Sequence, residues 1–159
     1  MTISFRLKLI LVCTAIPLLG GFFSSILCGD ISAVYHTLRL PDFAVPFWIV
    51  VPVWSILSLL QGIACAFIWQ QPDSTARTQA LTFYAVQLLF KLLQIQLFFG
   101  LEKYRLAFWL LCSVFVLTLL TVVSFALFDW WAGVLLVPYL LWLFYSMILT
   151  RAILSLNLF

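Results

Sequence analysis

Polar positions in this chain gather in four short clusters, at 29–45, 70–79, 102–105 and 129–130, and the intervals between them are almost wholly apolar. Those intervals run at about 9–28, 46–69, 80–101, 106–128 and 131–156. Each holds about 20 residues or more, the length at which a helix covers the hydrocarbon of a bilayer. Barrel strands would read as segments of about ten residues with alternating polarity. Runs such as "WLLCSVFVLTLLTVVSFALF" do not alternate. The pattern predicts an all-α membrane protein, a bundle of five transmembrane helices, with no length left for a soluble domain.

Composition narrows the class further. Hydrophobic residues are 66% and charged residues 8% of the 159, which excludes a water-soluble globule with an ordinary polar surface. The net charge of +3 is scattered over several loops, so no basic patch for nucleic acid forms. Arg6, Lys8 and Arg77 fall on one side of the membrane and Arg39, Lys103, Arg105 and Arg151 on the other. That slight asymmetry favours the face with the first loop and the C-terminus as cytoplasmic. The first apolar stretch is expected to stay as a helix, because it is long and has no clean small-x-small cleavage site before Asp30; "SILCG" at 25–29 has Leu27 where a lipoprotein box has a small residue. A multi-pass protein of the bacterial cell membrane is favoured. Cys13, Cys28, Cys65 and Cys112 are dispersed, without a CxxC pair, and read as apolar packing residues; His36 is the one histidine. Neither a metal site nor a cofactor is expected.

Lys91 stands out. It lies mid-way along the third span, about 16 Å from either end, too deep for its side chain to reach water. A charge at that depth costs roughly 2.5–3.5 kcal/mol on insertion scales, and all five acids (Asp30, Asp42, Asp73, Glu102, Asp129) lie in loops or at helix ends. The amine is therefore uncharged, or held by backbone carbonyls and aromatic faces, or matched to an anionic ligand. A lysine tolerated in a hydrated crevice is the plainer alternative. Gln87, Lys91, Gln94 and Phe98 recur at spacings of 4, 3 and 4, so they share one helix face. Phe47, Val51, Trp54, Ser58 and Gln61 do the same on the second span, and Tyr139, Trp142 and Ser146 on the fifth. These three stripes are expected to face the bundle interior, whereas the fourth span offers only Ser and Thr among bulky apolar groups. Trp48, Trp69, Trp109, Trp130 and Trp131 sit near span ends and read as interfacial anchors. Trp54 and Trp142 are deeper, on faces shared with polar residues, and are open to two readings: core packing or pocket wall.

The prolines add to this picture. Pro46 starts a span, where a missing N–H forfeits little. Pro52, one turn in, is expected to bend or loosen the helix just before Trp54, and Pro138 sits likewise before Trp142. Loosened backbone at membrane depth is tolerated where it lines a cavity, so the two helices look like two walls of one pocket. Gly62 and Ala66 form a small-xxx-small pair suited to close helix packing, within the chain or between copies.

Three blocks, "LPDFAVPFWIVVPVWSILSLLQGIA" (40–64), "YAVQLLFKLLQIQLFFG" (84–100) and "LLVPYLLWLFYSMILTRAILSLN" (135–157), resemble the translocator protein family, also called tryptophan-rich sensory proteins or peripheral benzodiazepine receptors (TspO/MBR). The resemblance spans nearly the whole chain and implies one five-helix transmembrane domain over 1–159. It implies a cavity under the first loop that binds porphyrins, sterols and benzodiazepine-like drugs, and often a homodimer. Trp54 matches the tryptophan of the family's P-V-W block and Trp142 the one after P-Y, while Pro46 matches the second proline of a P-P pair. Val45, Ser58, Gln61, Lys91, Gln94 and Thr150 depart from the family's proline, tyrosine, methionine, asparagine, tryptophan and asparagine. Most departures fall on the inferred pocket faces; a lysine for asparagine would favour a ligand with a carboxylate, and porphyrin propionates qualify. The candidate ligand-binding residues are Pro46, Phe47, Trp54, Ser58, Lys91, Gln94, Phe98, Tyr139, Trp142 and Ser146. The leading expectation is a membrane binding protein for tetrapyrroles such as protoporphyrin, in a regulatory, sensory or transport role. The alternative is a light- and oxygen-dependent porphyrin-degrading enzyme with Trp54 and Trp142 as reactive groups, although the spans offer no acid–base pair or nucleophile at workable spacing. Leu143, Tyr145 and Arg151 form a weak sterol-contact pattern.

Overall fold

The computed structural model describes residues 3–157. Its helices are α1 (Ile3–Leu27), α2 (Ile31–Thr37), α3 (Phe47–Trp69), α4 (Thr75–Ile95), α5 (Tyr104–Phe128) and α6 (Trp130–Asn157), and α4 continues into a π-helical turn at Gln96–Gly100. All but α2 are long and apolar enough to cross a membrane. The chain is a multi-pass integral membrane protein built as an all-helical bundle.

Local chemistry sets the ends of the helices. α1 stops at Gly29, whose φ of 79° is a left-handed conformation that glycine adopts without strain. Asp30 then caps α2 by accepting a bond from the Ala33 N–H at 3.0 Å. Ser74 caps α4 through the Arg77 N–H, and Asp129 caps α6 through the Trp131 N–H at 2.9 Å. Two expected boundaries move outward: α1 begins at residue 3 instead of 9, and α4 at 75 instead of 80. Once a helix is nucleated each further residue adds a bond, so it outlasts the apolar run that predicts it. Arg6 and Lys8 accordingly sit exposed on the first turns of α1. α3 and α6 run through Pro52 and Pro138 without a break, and α1 through Pro17.

Around the bundle the neighbours run α1, α3, α6, α5, α4, and the end of α4 returns to α1. One half of this ring is filled. Cys13, Ala64, Cys65, Ile68, Ala80, Tyr84, Phe125, Ala132 and Leu136 pack there, and their small members let the helices approach closely. Gly62 faces α1 so tightly that a Cβ on it would lie 2.6 Å from the Cys13 carbonyl oxygen. Gly62 is thus used inside the chain, against α1, and Ala66 is fully buried. The other half, toward the first loop, has a smaller core of Leu38, Phe98, Tyr104, Ala107, Ile153 and Leu154 with a hollow beside it.

Candidate ligand-binding site

A cavity of about 420 Å³ occupies that half, between α1, α3, α4 and α6 and beneath α2. Sites for small ligands fall in a range of about 300–1,000 Å³. Phe47, Trp54, Ser58, Lys91, Gln94, Phe98, Trp142 and Ser146 all line it. The other two sequence candidates lie elsewhere. Pro46 borders a second hollow between α2 and the loop before α3. Tyr139 is fully buried one layer deeper, with its ring 6.0 Å from that of Trp54.

The floor is built around Lys91, which is 3% exposed. Its Nζ donates to Ser58 Oγ at 3.1 Å and stands 5.0 Å from the centre of the Trp54 ring and 5.5 Å from that of Tyr139. Serine four residues after Trp54 puts both on the same face of α3, and Lys91 meets them from α4 across the bundle. Two aromatic faces and a hydroxyl hold the ammonium in the way carbonyls or a carboxylate otherwise would. Among the described residues the ion pair is Arg77, in the first turn of α4, with Asp73 just before it. Every other residue lining the cavity is uncharged.

Below Lys91 lies a buried polar layer of Gln61, Gln87, Thr118 and Tyr139. Thr118 Oγ1 donates to Gln87 Oε1 at 3.1 Å. Both amide atoms of Gln61 and the Tyr139 hydroxyl lack a hydrogen-bond partner. The interior stripes read from the sequence therefore divide by depth: their outer members line the cavity, and Gln61, Gln87 and Tyr139 lie beneath it.

Trp54 and Trp142 meet edge to face, with centroids 6.4 Å apart and planes at 88°. Trp142 also packs on Tyr145 at 5.1 Å, and its buried indole N–H has no protein acceptor. Ser146 gives its hydroxyl proton to the Trp142 carbonyl oxygen at 2.8 Å, leaving its oxygen lone pairs toward the cavity as acceptors.

The roof is pinned at several points. The Tyr145 hydroxyl accepts from the Val45 N–H at 3.0 Å and donates to the Phe43 carbonyl oxygen at 3.2 Å. Tyr35, on α2, donates to the Val45 carbonyl oxygen at 2.8 Å. Burial first, and Tyr145 second, push the Tyr35 phenol above its usual range, so it stays a donor. Asn157, at the end of α6, pairs both ways with the Arg39 backbone, accepting from its N–H at 2.9 Å and donating to its oxygen at 3.0 Å. The first loop is in fact a helix and a strapped segment, because Tyr145 and Asn157, far away in sequence, and Tyr35 from α2 satisfy its backbone.

Two walls were not foreseen. α1 contributes Pro17, Leu18, Gly21, Phe22 and Ser25, all apolar or small and indistinguishable in sequence from lipid-facing positions. The π-turn at the end of α4 is the second. There the Leu101 N–H bonds back to Gln96 at 2.9 Å, five residues earlier, and the wider turn brings Phe99 as well as Phe98 to the cavity. Gln96 Nε2 anchors the turn by donating to the Ser24 carbonyl oxygen at 2.7 Å. The irregular backbone at the cavity thus lies here, and the prolines sit within unbroken helices. Extending the α6 stripe by two more turns would have found Leu149, Thr150 and Ile153, which also line the cavity.

The wall is incomplete along the α1–α3 edge. Leu19, Phe22 and Val51 line the cavity yet are 52%, 60% and 54% exposed at the outer surface of the bundle. Leu143, Tyr145 and Arg151 share no such surface, since Leu143 is wholly buried and Arg151 exposed.

Comparison with known proteins agrees with this architecture. The model of the TspO/MBR family matches residues 10–156. A tryptophan-rich sensory protein of Cereibacter sphaeroides is 35% identical over 68% of this chain and 66% of its own length. The tryptophan-rich protein TspO of Chlorobaculum tepidum is 29% identical over 92% of the chain and 91% of its own. The translocator protein of Ovis aries is 29% identical over 86% and 82%. With the family model matched over nearly the whole sequence, the chain belongs to the TspO/MBR family.

Proposed function

We propose that this protein binds flat, largely apolar ligands within the membrane, tetrapyrroles of the protoporphyrin type foremost, in a sensory, regulatory or transport role. One observation carries the reading: a cavity of about 420 Å³ whose largely apolar walls include two deep tryptophans at right angles and carry a few polar groups, Lys91 and Ser58 at its floor among them. Such a volume suits a planar ring that lies against indole faces while its polar edge finds the few hydrogen-bonding groups. Names such as tryptophan-rich sensory protein, carried by relatives, accord with a sensing role. A homodimer belongs to the same reading; its contact would use an outward apolar face, since Gly62 is occupied by α1.

The test is a titration of the purified chain in lipid nanodiscs, following tryptophan fluorescence and the ligand's own absorbance, with protoporphyrin IX, a sterol and an isoquinoline carboxamide. Saturable one-site binding of protoporphyrin is expected, weakened about tenfold by Trp54→Ala through loss of its ring contact. Absence of saturable binding by all three would overturn the proposal.

A further inference from the structure

We infer that Lys91 is the specificity-determining residue of this cavity and that it selects ligands carrying a carboxylate, which docks on Nζ at the cavity floor. The inference rests on the binding reading above and names the chemistry of the ligand's deep end.

Charge balance is the first ground. Lys91 is the one charged residue lining the cavity, and no carboxylate among the described residues stands against it. An ammonium has three donors. One goes to Ser58 Oγ at 3.1 Å. The rings of Trp54 and Tyr139, at 5.0 and 5.5 Å, stabilise the charge without taking a conventional hydrogen bond. Lys91 nevertheless lines the cavity. Its remaining donors are what an incoming carboxylate would meet.

Position is the second ground. Lys91 sits where the filled half of the bundle gives way to the cavity, so an anion held there leaves the rest of the ligand running up between Trp54, Trp142 and Phe98. A charge-assisted bond in so apolar a surrounding is stronger than the same bond in water, and an uncharged ester in its place forfeits it. Ser58 acts as a positioning residue, fixing the amine against the α3 face.

Protoporphyrin IX and its dimethyl ester separate this inference from the proposal beneath it, since they share one ring system and differ only in the ionised groups. In nanodiscs the parent chain is expected to bind the acid about 10- to 100-fold more tightly, relative to the ester, than Lys91→Met does. Partitioning into lipid is common to parent and variant and cancels in that ratio. Lys91→Met should keep its ester affinity, which also reports that it is folded, and Lys91→Arg should retain part of the preference for acid. An acid-to-ester ratio in Lys91→Met equal to that of the parent overturns the inference while leaving the binding proposal intact. Should Lys91→Met not fold, Ser58→Ala takes its place: an unchanged ratio there, with equal acid and ester affinities in the parent, overturns the inference. Failure of the parent to bind either compound overturns both.

Discussion

At the scale of single residues, the energetics of Lys91 explain how an amine persists in the middle of a bilayer. Its insertion costs roughly 2.5–3.5 kcal/mol. Against this stand two ring contacts, each worth about 0.5–2 kcal/mol, and a hydrogen bond from a charged group worth about 1.5–3 kcal/mol. The sums are of like size, so the cage offsets the charge without an acid. Gln61 has no such compensation. It is completely buried and both of its amide atoms lack partners. Replacing it with a side chain of similar volume and no amide removes that penalty: Gln61→Met is expected to stabilise the protein by about 1–3 kcal/mol, seen as a raised thermal unfolding midpoint in detergent. An unchanged or lowered midpoint would show that the amide is satisfied in the folded protein. Residues of this kind were legible in the sequence because a lysine, a glutamine or a tryptophan at membrane depth departs from its surroundings. Pro17, Gly21 and Phe22 on α1 were not, since nothing but the position of the neighbouring helices separates a cavity wall from a lipid-facing surface.

Among the elements, the contact of α1 with α3 decides how the ring closes. Gly62 admits the α1 backbone, and any side chain there meets the Cys13 and Thr14 main chain, which cannot swing aside as a flexible side chain would. Gly62→Val should therefore cost about 1–3 kcal/mol or more through overpacking and lower the unfolding midpoint, while the half-buried Gly21 position, with no atom within 4 Å of a Cβ, accepts alanine without loss. Equal midpoints for the two variants would contradict this account. The number and order of the spans were readable from hydropathy alone, because the hydrocarbon sets a length that no loop imitates. Other elements were hidden for physical reasons. α2 is too short for a periodic signal, and it is held by an Asp30 cap and by Tyr35. The π-turn arises from one extra residue per turn, a change of register that leaves hydropathy untouched. Pro52 and Pro138 pointed to the correct neighbourhood, ahead of Trp54 and Trp142, although their helices continue unbroken.

For the molecule as a whole, the division into a packed half and a hollow half places ligand chemistry beneath the first loop and structural rigidity at the opposite face. Tyr145, Tyr35 and Asn157 lock the loop over the hollow from the aqueous side. Tyr145→Phe releases the Val45 N–H and the Phe43 carbonyl together, and backbone hydrogen exchange across 38–46 is expected to quicken by about tenfold, with little change in α5. Exchange that stayed slow would mean that Tyr35 and Asn157 hold the roof unaided. The exposed flank of Leu19, Phe22 and Val51 has a different consequence. Along that flank the container is finished by whatever acyl chains lie alongside, so the host medium is both part of the vessel and a rival for its contents. Occupancy should then follow the mole fraction of ligand dissolved in the apolar phase: doubling the lipid at fixed protein and ligand halves the effective dose, and long-chain detergents displace ligand where short-chain ones do not.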